Sequence, residues 1–386
     1  MNVLLVSFFC SNNLGDLLIA RNLLDSFKTC DVTAFDFPTA KKISDVSDSH
    51  NLSEIPKAAK VSFLKSFCAE WYSWFFMMLK KEMTDNYITA LKGNDCVVIG
   101  GGNMLMDLSF APSYTYRFYK YTKTAKRLGK KVYVVSLGVG PFKNVLQRIY
   151  ARAALRNVDY IGVRDSYSKK QCEALNFKKN VLLTSDAAFA AECNIEKIGN
   201  TNAIGICIAD YLCISGFCSY EEYISVFSAF IERLGSQFKN YKLYVFSTEK
   251  ADYMVINDIL GTTRFSANIE IKSINSMSEL TEFYKQIDCL IGMRMHSLII
   301  AMLCHVPCFG IGWQKKVESL FEISNGSERY IDFESFFKGA NGFAENVFSN
   351  VNRFGEIIEK QNAFISNSEK KYNEQIDFIL NDMRGN

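Results

Sequence analysis

Short apolar, β-branched runs alternate with amphipathic helical stretches along most of the chain. Ten of these runs are predicted strands, at residues 2–8, 31–35, 95–99, 131–137, 159–163, 181–184, 203–209, 241–247, 287–292 and 307–311. In the first half each run is followed by a polar or glycine-containing turn and then by helix-period sequence, and the second half restarts the pattern. This alternation predicts parallel sheets wrapped by helices.

A polar stretch without clear periodicity, residues 194–202, separates the two series of strands. The 386 residues exceed the roughly 250–300 at which a single core stops growing. We therefore predict an α/β protein with two Rossmann-like domains, residues 1–195 and 203–343. A helical tail, residues 344–386, follows in two segments around 344–361 and 366–384. The arrangement is glycosyltransferase-B-like, with the active site in the cleft between the domains.

Charge and cysteine content narrow the possible partners and compartments. Lysine and arginine total 44 against 41 acidic residues, so the net charge is only +3, and no basic run indicates a nucleic-acid partner. The twelve cysteines are scattered without a CxxC pair, which favours a reducing compartment, and no metal-ligand cluster is visible. The first residues are interpreted as a strand rather than a signal peptide, and no apolar stretch reaches the roughly 18–20 residues of a membrane span. We expect a cytoplasmic protein that could lie at the inner face of the membrane.

Residues 61–81 are rich in aromatic side chains and are flanked by lysines. One interpretation is an interfacial helix lying on a membrane that carries a lipid-linked acceptor. The other is a helix packed into its own domain, which is the more common arrangement.

Two polar, glycine-containing turns follow predicted strands of the first half. Asn13 and Asp16 stand between the first strand and a helix, where free N–H groups can bind an anion or a hydroxyl. Alternatively, either side chain caps the helix. Gly101, Gly102 and Asn103 lie at another strand end, where bare backbone allows a ligand to approach.

Basic side chains follow three further strands. Arg164 can bind phosphate or carboxylate with its guanidinium fork, or form a surface salt bridge. Arg294 and His296 stand at alternate positions after a buried strand, where an arginine can hold an anion and an imidazole can move a proton. A core or capping histidine is the alternative for His296. Lys316 can add positive charge to the same cleft or lie in solvent.

In this order and spacing the motifs resemble the polysaccharide pyruvyl transferase family. The resemblance covers roughly residues 3 to 325, and its pieces are Asn13-Leu14-Gly15-Asp16, Gly100-Gly101-Gly102, Gly138-Val139-Gly140-Pro141, Arg164-Asp165-Ser166, Ser185-Asp186-Ala187-Ala188-Phe189, Gly292-Met293-Arg294-Met295-His296-Ser297, and Pro307 with Lys316-Val317. The chain departs from the family at Ala187, where proline is common, and at Gln314, where an acidic residue is usual.

The resemblance implies transfer of pyruvate from phosphoenolpyruvate to two hydroxyls of one sugar, giving a cyclic ketal and free phosphate. We accordingly assign Arg164, Arg294, His296 and Lys316 to donor binding, and Arg294 and His296 to catalysis, with His296 as the general acid/base. We expect no cofactor and no metal. The acceptor is a saccharide that could be lipid-linked, and it would lie near Asn13, Asp16, Gly101, Gly102 and Asn103.

Two alternatives remain open at this point. A nucleotide-sugar-dependent glycosyltransferase of the same architecture would need an acidic ribose contact, for which Glu249 and Asp252 are the candidates. A non-catalytic family member in a polysaccharide assembly complex would account for the loss of the acidic residue at Gln314.

Overall fold

The structure is a computed structural model that describes residues 1–44, 63–79, 82–107, 110–175, 177, 180–191, 200–214, 216–264 and 268–385. The predicted boundary stretch lies largely outside the described residues, at 194–199. The strands before and after it belong to two separate sheets, and the domain division itself stays a prediction.

The first sheet has seven strands in the order β3-β2-β1-β4-β6-β8-β9, and all its pairs are parallel except β2–β3. Two further strands, β5 and β7, form a small parallel pair beside it. The strands of this half are β1 (Asn2–Ser7), β2 (Asp31–Asp36), β3 (Lys41–Lys42), β4 (Cys96–Gly100), β5 (Leu105–Asp107), β6 (Lys131–Leu137), β7 (Val139–Phe142), β8 (Tyr160–Val163) and β9 (Leu182–Leu183). The helices are α1 (Leu14–Ser26), α2 (Phe63–Leu79), α3 (Glu82–Lys92), α4 (Ser113–Arg127), α5 (Val145–Leu155) and α6 (Ser166–Ala174).

The second sheet has six parallel strands in the order β12-β11-β10-β13-β14-β15. Its strands are β10 (Ala203–Cys207), β11 (Lys242–Phe246), β12 (Ile269–Ile271), β13 (Cys289–Gly292), β14 (Cys308–Gly312) and β15 (Tyr330–Asp332). Its helices are α7 (Tyr220–Gln237), α8 (Tyr253–Thr262), α9 (Met277–Tyr284), α10 (Met295–Leu303), α11 (Lys315–Ile323), α12 (Phe333–Ser349) and α13 (Phe354–Arg384). Short 3₁₀ turns occur at Ala187–Ala190, Tyr211–Cys213, Lys250–Asp252, Ser327–Arg329 and Val351–Arg353.

All ten predicted strands are confirmed to within two residues at each end, and the central ones are fully buried, as continuous apolar runs require. Five further strands were not predicted, namely β3, β5, β7, β12 and β15. Each has too few residues for its sequence to show a strand period.

The two predicted C-terminal helices have the wrong bounds. Helix α12 begins at Phe333, after Asp332 caps its first turn, and it contains both Gly339 and Gly342. The chain turns at Val351–Arg353, and α13 then continues without a break through 361–366, where no proline or glycine interrupts it. Helix α12 thus spans the predicted division at 343 and 344.

Helix α13 joins the two sheets. Near its start, the Oε1 atom of Gln361 accepts from the Cys308 amide at the second sheet, 3.0 Å away. Further along, Gln375 Nε2 donates to Ser136 Oγ of the first sheet at 3.1 Å, and Tyr133 donates to Asp382 at 2.6 Å. The helix therefore ties the two sheets together, and residues that follow strands of both sheets line one cleft, where parallel α/β sheets bind ligands. None of the described helices combines the length and hydrophobicity needed to cross a membrane.

Candidate active site

A cavity of about 640 Å³ lies in this cleft. It is lined from both halves of the chain, by Phe8, Cys10, Ser11, Asn12, Asn13, Asp16, Pro38, Asn103, Met106, Asp107, Ser113, Tyr114, Arg164, His296 and Lys316. Six of the nine predicted site residues are in this lining. The other three, Gly101, Gly102 and Arg294, are not.

The first-half wall is built around the N-terminus of α1. Asn13 caps this helix, because its Oδ1 atom accepts from the Gly15 amide at 2.9 Å, and Asp16 accepts from the Ser11 hydroxyl at 3.1 Å. Asn13 therefore has the capping role considered from the sequence and also lines the cavity. The helix presents its free N–H groups and its partial positive charge toward this space.

Gly101 and Gly102 lie behind the wall, and both are buried with positive φ angles of 76° and 70°. A Cβ atom on Gly101 would lie 1.9 Å from the Cγ2 atom of Ile19 in α1. These glycines therefore allow α1 to pack closely on the end of β4 and so fix where its N-terminus meets the cavity. Their contact with an acceptor stays a prediction.

Arg164 follows β8 and is buried, with 3% of its side chain exposed. Its guanidinium donates to Asn103 Oδ1 at 2.6 Å, to Asp186 Oδ2 at 2.9 Å and to Asp165 Oδ2 at 3.3 Å. The sequence left open a surface salt bridge for Arg164. The structure shows instead a buried hydrogen-bonded network at the cavity. It holds the amide of Asn103 and the carboxylate of Asp186 in fixed positions.

His296 is the second residue of α10 and reaches across the cleft to the N-terminus of α1. A Cβ atom on Gly15 would lie 2.2 Å from the His296 Cβ atom and 2.3 Å from its Nδ1 atom, so only glycine leaves room for this ring. The Nε2 atom lies 3.7 Å from Asp186 Oδ2, which is beyond hydrogen-bond distance. Nε2 is buried and has no hydrogen-bond partner among the described residues.

Asp186 lies between the Arg164 guanidinium and the His296 ring, and its carboxyl group is ionised. Burial opposes its ionisation, but the Arg164 guanidinium and the His296 side chain more than offset that cost, so its pKa lies below the usual range. Asp186 also accepts from the Ala188 amide at 2.9 Å, which fixes the carboxylate.

Arg294 points away from His296, although the two residues are only two positions apart. It precedes α10 with an extended backbone, and its guanidinium forms a bidentate pair with Asp252, at 3.0 and 2.6 Å. A third contact joins it to Glu249 Oε2 at 2.6 Å. Asp252 is fully buried and also accepts from the Asp210 amide at 2.7 Å. Arg294 therefore orders the loop after β11, whose Glu249 in turn forms a backbone bridge with Asn13 across the cleft.

Lys316 is the cavity cation that has no acidic partner at salt-bridge distance among the described residues. Its ammonium lies 5.7 Å from the centre of the Trp313 ring. Burial, together with repulsion from Arg164 and Arg294, lowers its pKa to about 8. A cavity in which burial and nearby positive charges disfavour the ammonium form of Lys316 is expected to bind an anion.

A second cavity of about 250 Å³ adjoins the first and shares Asn103, Arg164 and Lys316 with it. Trp313, Tyr167 and Pro141 add ring surfaces to this space. Gln314, which stands where the family usually has an acidic residue, lines it as well and begins α11 without a side-chain cap. The two cavities together leave room for a substrate larger than a three-carbon acid.

Four acidic residues near the cleft were not predicted as site residues. Asp186 lay within a quoted motif without an assigned role, and Glu249 and Asp252 were weighed only as ribose contacts. Asp107 lines the cavity, and burial raises its pKa to about 6 against hydrogen bonds from Thr115 and Tyr114. For Asp186 the sequence offered one signal, which is its place just after a predicted strand. Its partners Arg164 and His296 come from distant segments and could not be identified from the local sequence.

The arrangement can hold an anion at Lys316 and Arg164 and move a proton at His296. Among the described residues, no three histidine, cysteine or acidic side chains are grouped to hold a metal ion. His296, with Lys316 and Arg164 in the same cavity lining, points to acid–base chemistry on an anionic substrate.

Comparisons with known proteins agree with this architecture. The family model described as polysaccharide pyruvyl transferase matches residues 13–315. A search of curated proteins found no match. Among solved structures, the UDP-GlcNAc 2-epimerase of Neisseria meningitidis bound to UDP-GlcNAc is similar with a TM-score of 0.57 at 11% identity over 100% of both chains. A UDP-glucosyltransferase from Polygonum tinctorium has a TM-score of 0.57 at 9% identity, over 98% of this chain and 97% of that one. At such identities the likeness concerns the two-domain glycosyltransferase-B fold alone.

Proposed function

Because this chain belongs to the polysaccharide pyruvyl transferase family, we propose that it transfers pyruvate from phosphoenolpyruvate to two hydroxyls of one sugar. The product is a cyclic ketal on a cell-surface polysaccharide or its precursor, together with inorganic phosphate. The observation that carries this proposal is the buried Nε2 atom of His296, which has no hydrogen-bond partner in the described part of the chain and lies in a cavity that also contains Lys316 and Arg164.

The donor is an anion with two charged groups, and the cavity offers matching cations. Lys316 supplies a charge that meets no acidic side chain at salt-bridge distance among the residues that the structure describes. Arg164 has N–H groups left beyond the three that bond to Asn103, Asp186 and Asp165. Arg294 was predicted to share this role. In the structure it is paired with Glu249 and Asp252, so its contact with the donor requires the Arg294–Glu249 pair to open.

The reaction proceeds by proton movements at His296. The His296 imidazole, which lies 3.7 Å from Asp186, donates a proton to the methylene carbon of phosphoenolpyruvate and turns it into a methyl group. The first sugar hydroxyl attacks the adjacent carbon and returns its proton to His296. The second hydroxyl then attacks the same carbon, the carbon–oxygen bond to phosphate breaks, and the last proton leaves with the phosphate. No redox step is involved.

The acceptor would bind along the first-half wall, where Asn13, Asp16 and Asn103 line the cavity. Asp16 is the proposed base for the second hydroxyl. We place the reaction in the cytoplasm, since the cysteines in the described part of the chain are free thiols, as expected in a reducing compartment. The acceptor could be carried on a lipid.

The nucleotide-sugar alternative finds less support. Glu249 and Asp252, its candidate ribose contacts, are both bonded to Arg294, and Asp252 is fully buried. Asp252 is therefore closed to a sugar hydroxyl in this structure, and Glu249 can meet one only through the exposed third of its side chain.

The test is a comparison of ligand-induced stabilisation by phosphoenolpyruvate, UDP-GlcNAc and GDP-mannose. A ligand at about 100 times its dissociation constant stabilises the folded state by roughly 2.7 kcal/mol. We expect phosphoenolpyruvate to stabilise the wild type and to lose this effect in Lys316→Met. Stabilisation by a nucleotide sugar alone would refute the proposal.

A further inference from the structure

Helix α2 directs an apolar surface toward solvent. Between residues 68 and 79 the side chains of Tyr72, Phe75 and Leu79 are 64%, 52% and 61% exposed, and Phe76 and Met78 are also exposed. Glu70 is the single charged residue in this stretch, and it accepts from the Phe110 amide at 3.1 Å. A helix on a soluble domain normally directs its apolar side inward, so this surface calls for a partner.

The neighbouring helices α4 and α5 carry only positive charge. Helix α4 contains five basic residues and α5 two, and neither contains an acidic one, although the whole chain is nearly balanced at 44 basic to 41 acidic residues. Lys123, Arg127 and Arg148 are exposed to solvent. Val145 and Ile149 of α5, 72% and 55% exposed, add apolar area between these charges.

Helices α2, α4 and α5 pack side by side, which brings the basic and apolar parts next to each other. Trp74 of α2 packs edge-on against Tyr116 of α4 at 6.2 Å between ring centres, and Tyr116 packs in the same way on Tyr150 of α5 at 5.2 Å. A groove of about 580 Å³ runs between α3, α4 and α5, with Lys120, Lys123 and Arg127 in its lining. We call the exposed residues of α2, α4 and α5 together the α2/α4/α5 face.

This face is also connected to the active site. A groove of about 430 Å³ beside α2 is lined by Tyr72, Phe76 and Met77, and also by Pro38, which lines the catalytic cavity as well. An extended apolar chain lying against α2 could therefore end in the cavity.

We propose that the α2/α4/α5 face binds the surface of an anionic phospholipid bilayer. Aromatic and aliphatic side chains would enter the headgroup boundary while the lysines and arginines of α4 and α5 pair with lipid phosphates. A second copy of the chain is a poorer occupant, because a two-fold interface would bring the same positive charges together. Delivery of a lipid-linked acceptor along the groove beside α2 rests on the proposed function. The bilayer contact itself does not.

The experiment is sedimentation of the full-length protein with vesicles of phosphatidylcholine alone, or of phosphatidylcholine mixed with phosphatidylglycerol. We expect binding to the anionic vesicles only, with an affinity that falls on addition of salt. Phe75→Ser with Phe76→Ser should abolish it. Lys123→Gln, Arg127→Gln and Arg148→Gln should each weaken it about fivefold, since each basic residue near such a surface contributes about 1 kcal/mol.

Matched controls on the second half are Phe348→Ser, a similarly exposed phenylalanine, and Lys239→Gln, an exposed lysine. Both should bind like the wild type. Stabilisation by phosphoenolpyruvate, measured on every variant, reports the fold and the donor site separately from membrane binding. Equal binding to both kinds of vesicle, no binding, or unchanged binding by the charge variants would overturn the proposal. Sedimentation velocity could instead show a dimer that the double variant Phe75→Ser with Phe76→Ser dissociates. If that dimer does not bind vesicles, the proposal is also overturned.

Discussion

Lys316 provides a quantitative test of the donor site through pH. Its pKa is lowered to about 8 by burial and by repulsion from Arg164 and Arg294. Only the ammonium form can attract the charges of phosphoenolpyruvate, so binding should weaken as pH rises through 8. Above that value the affinity should fall about tenfold for each pH unit, until the pKa of the ligand-bound form is reached.

The assay is calorimetric titration with phosphoenolpyruvate from pH 7 to 9. The dissociation constant of the wild type should rise about tenfold over this range, because roughly one Lys316 side chain in eleven remains protonated at pH 9. Lys316→Arg is the control, since a guanidinium stays charged throughout, and its pH profile should be flat. A flat wild-type profile, or the same decline in Lys316→Arg, would refute the assignment of Lys316 to the donor.

The lowered pKa of Lys316 also predicts that, without ligand, the free energy of unfolding rises with pH, whereas donor binding weakens. The folded-state pKa of about 8 lies below the usual 10.5, so the folded protein disfavours the ammonium form. Lys316 therefore costs stability below pH 8, and the cost fades as pH rises toward 10.5. The difference corresponds to roughly 3 kcal/mol, which we reduce to about 1–2 kcal/mol because the side chain is partly exposed to solvent. Lys316→Met should gain this amount in urea unfolding at pH 7 and much less at pH 10.

Three further outcomes are expected. His296→Gln should lower the turnover number about 10²–10⁴-fold while leaving phosphoenolpyruvate binding measurable by calorimetry, since the acid–base group is lost and the cations remain. Gly15→Ala should lower turnover about 10²-fold by displacing the imidazole, because its Cβ atom would lie 2.2 Å from the His296 side chain. Arg164→Met should cost about 3–5 kcal/mol in urea unfolding at pH 7, because Asp186 is left buried and unpaired. This loss should shrink on acidification as that carboxylate becomes protonated.

Each of these outcomes has a control or a contrary result. Gly235→Ala is the match for Gly15→Ala, since its Cβ atom would have its nearest neighbour at 3.8 Å, and it should leave turnover unchanged. Wild-type turnover in His296→Gln would remove the imidazole from the mechanism. An Arg164→Met protein as stable as the wild type would show that the buried network does not depend on this guanidinium.

Most of the fold could be predicted from local patterns. Buried parallel strands are continuous apolar runs, so ten of the strands and the two-sheet organisation were evident along the chain. The five strands β3, β5, β7, β12 and β15, of two to four residues, and the turn at Val351–Arg353 that separates α12 from α13, were not predicted. Their formation depends on neighbours that are distant in sequence, because so few residues carry no period of their own.

The sequence by itself also determined which residue types stand at the strand ends, and hence that Arg164, His296, Lys316 and Asn13 meet at one cleft. Only the tertiary structure decided where each side chain points. Arg294 and His296 are two positions apart, yet one is bonded to Asp252 and the other lies between Gly15 and Asp186. Side-chain direction at a helix start depends on which charges and which free space the rest of the fold supplies. Asp186, Asp252 and the exposed apolar face of α2 became significant for the same reason, since burial and pairing are properties of the folded chain.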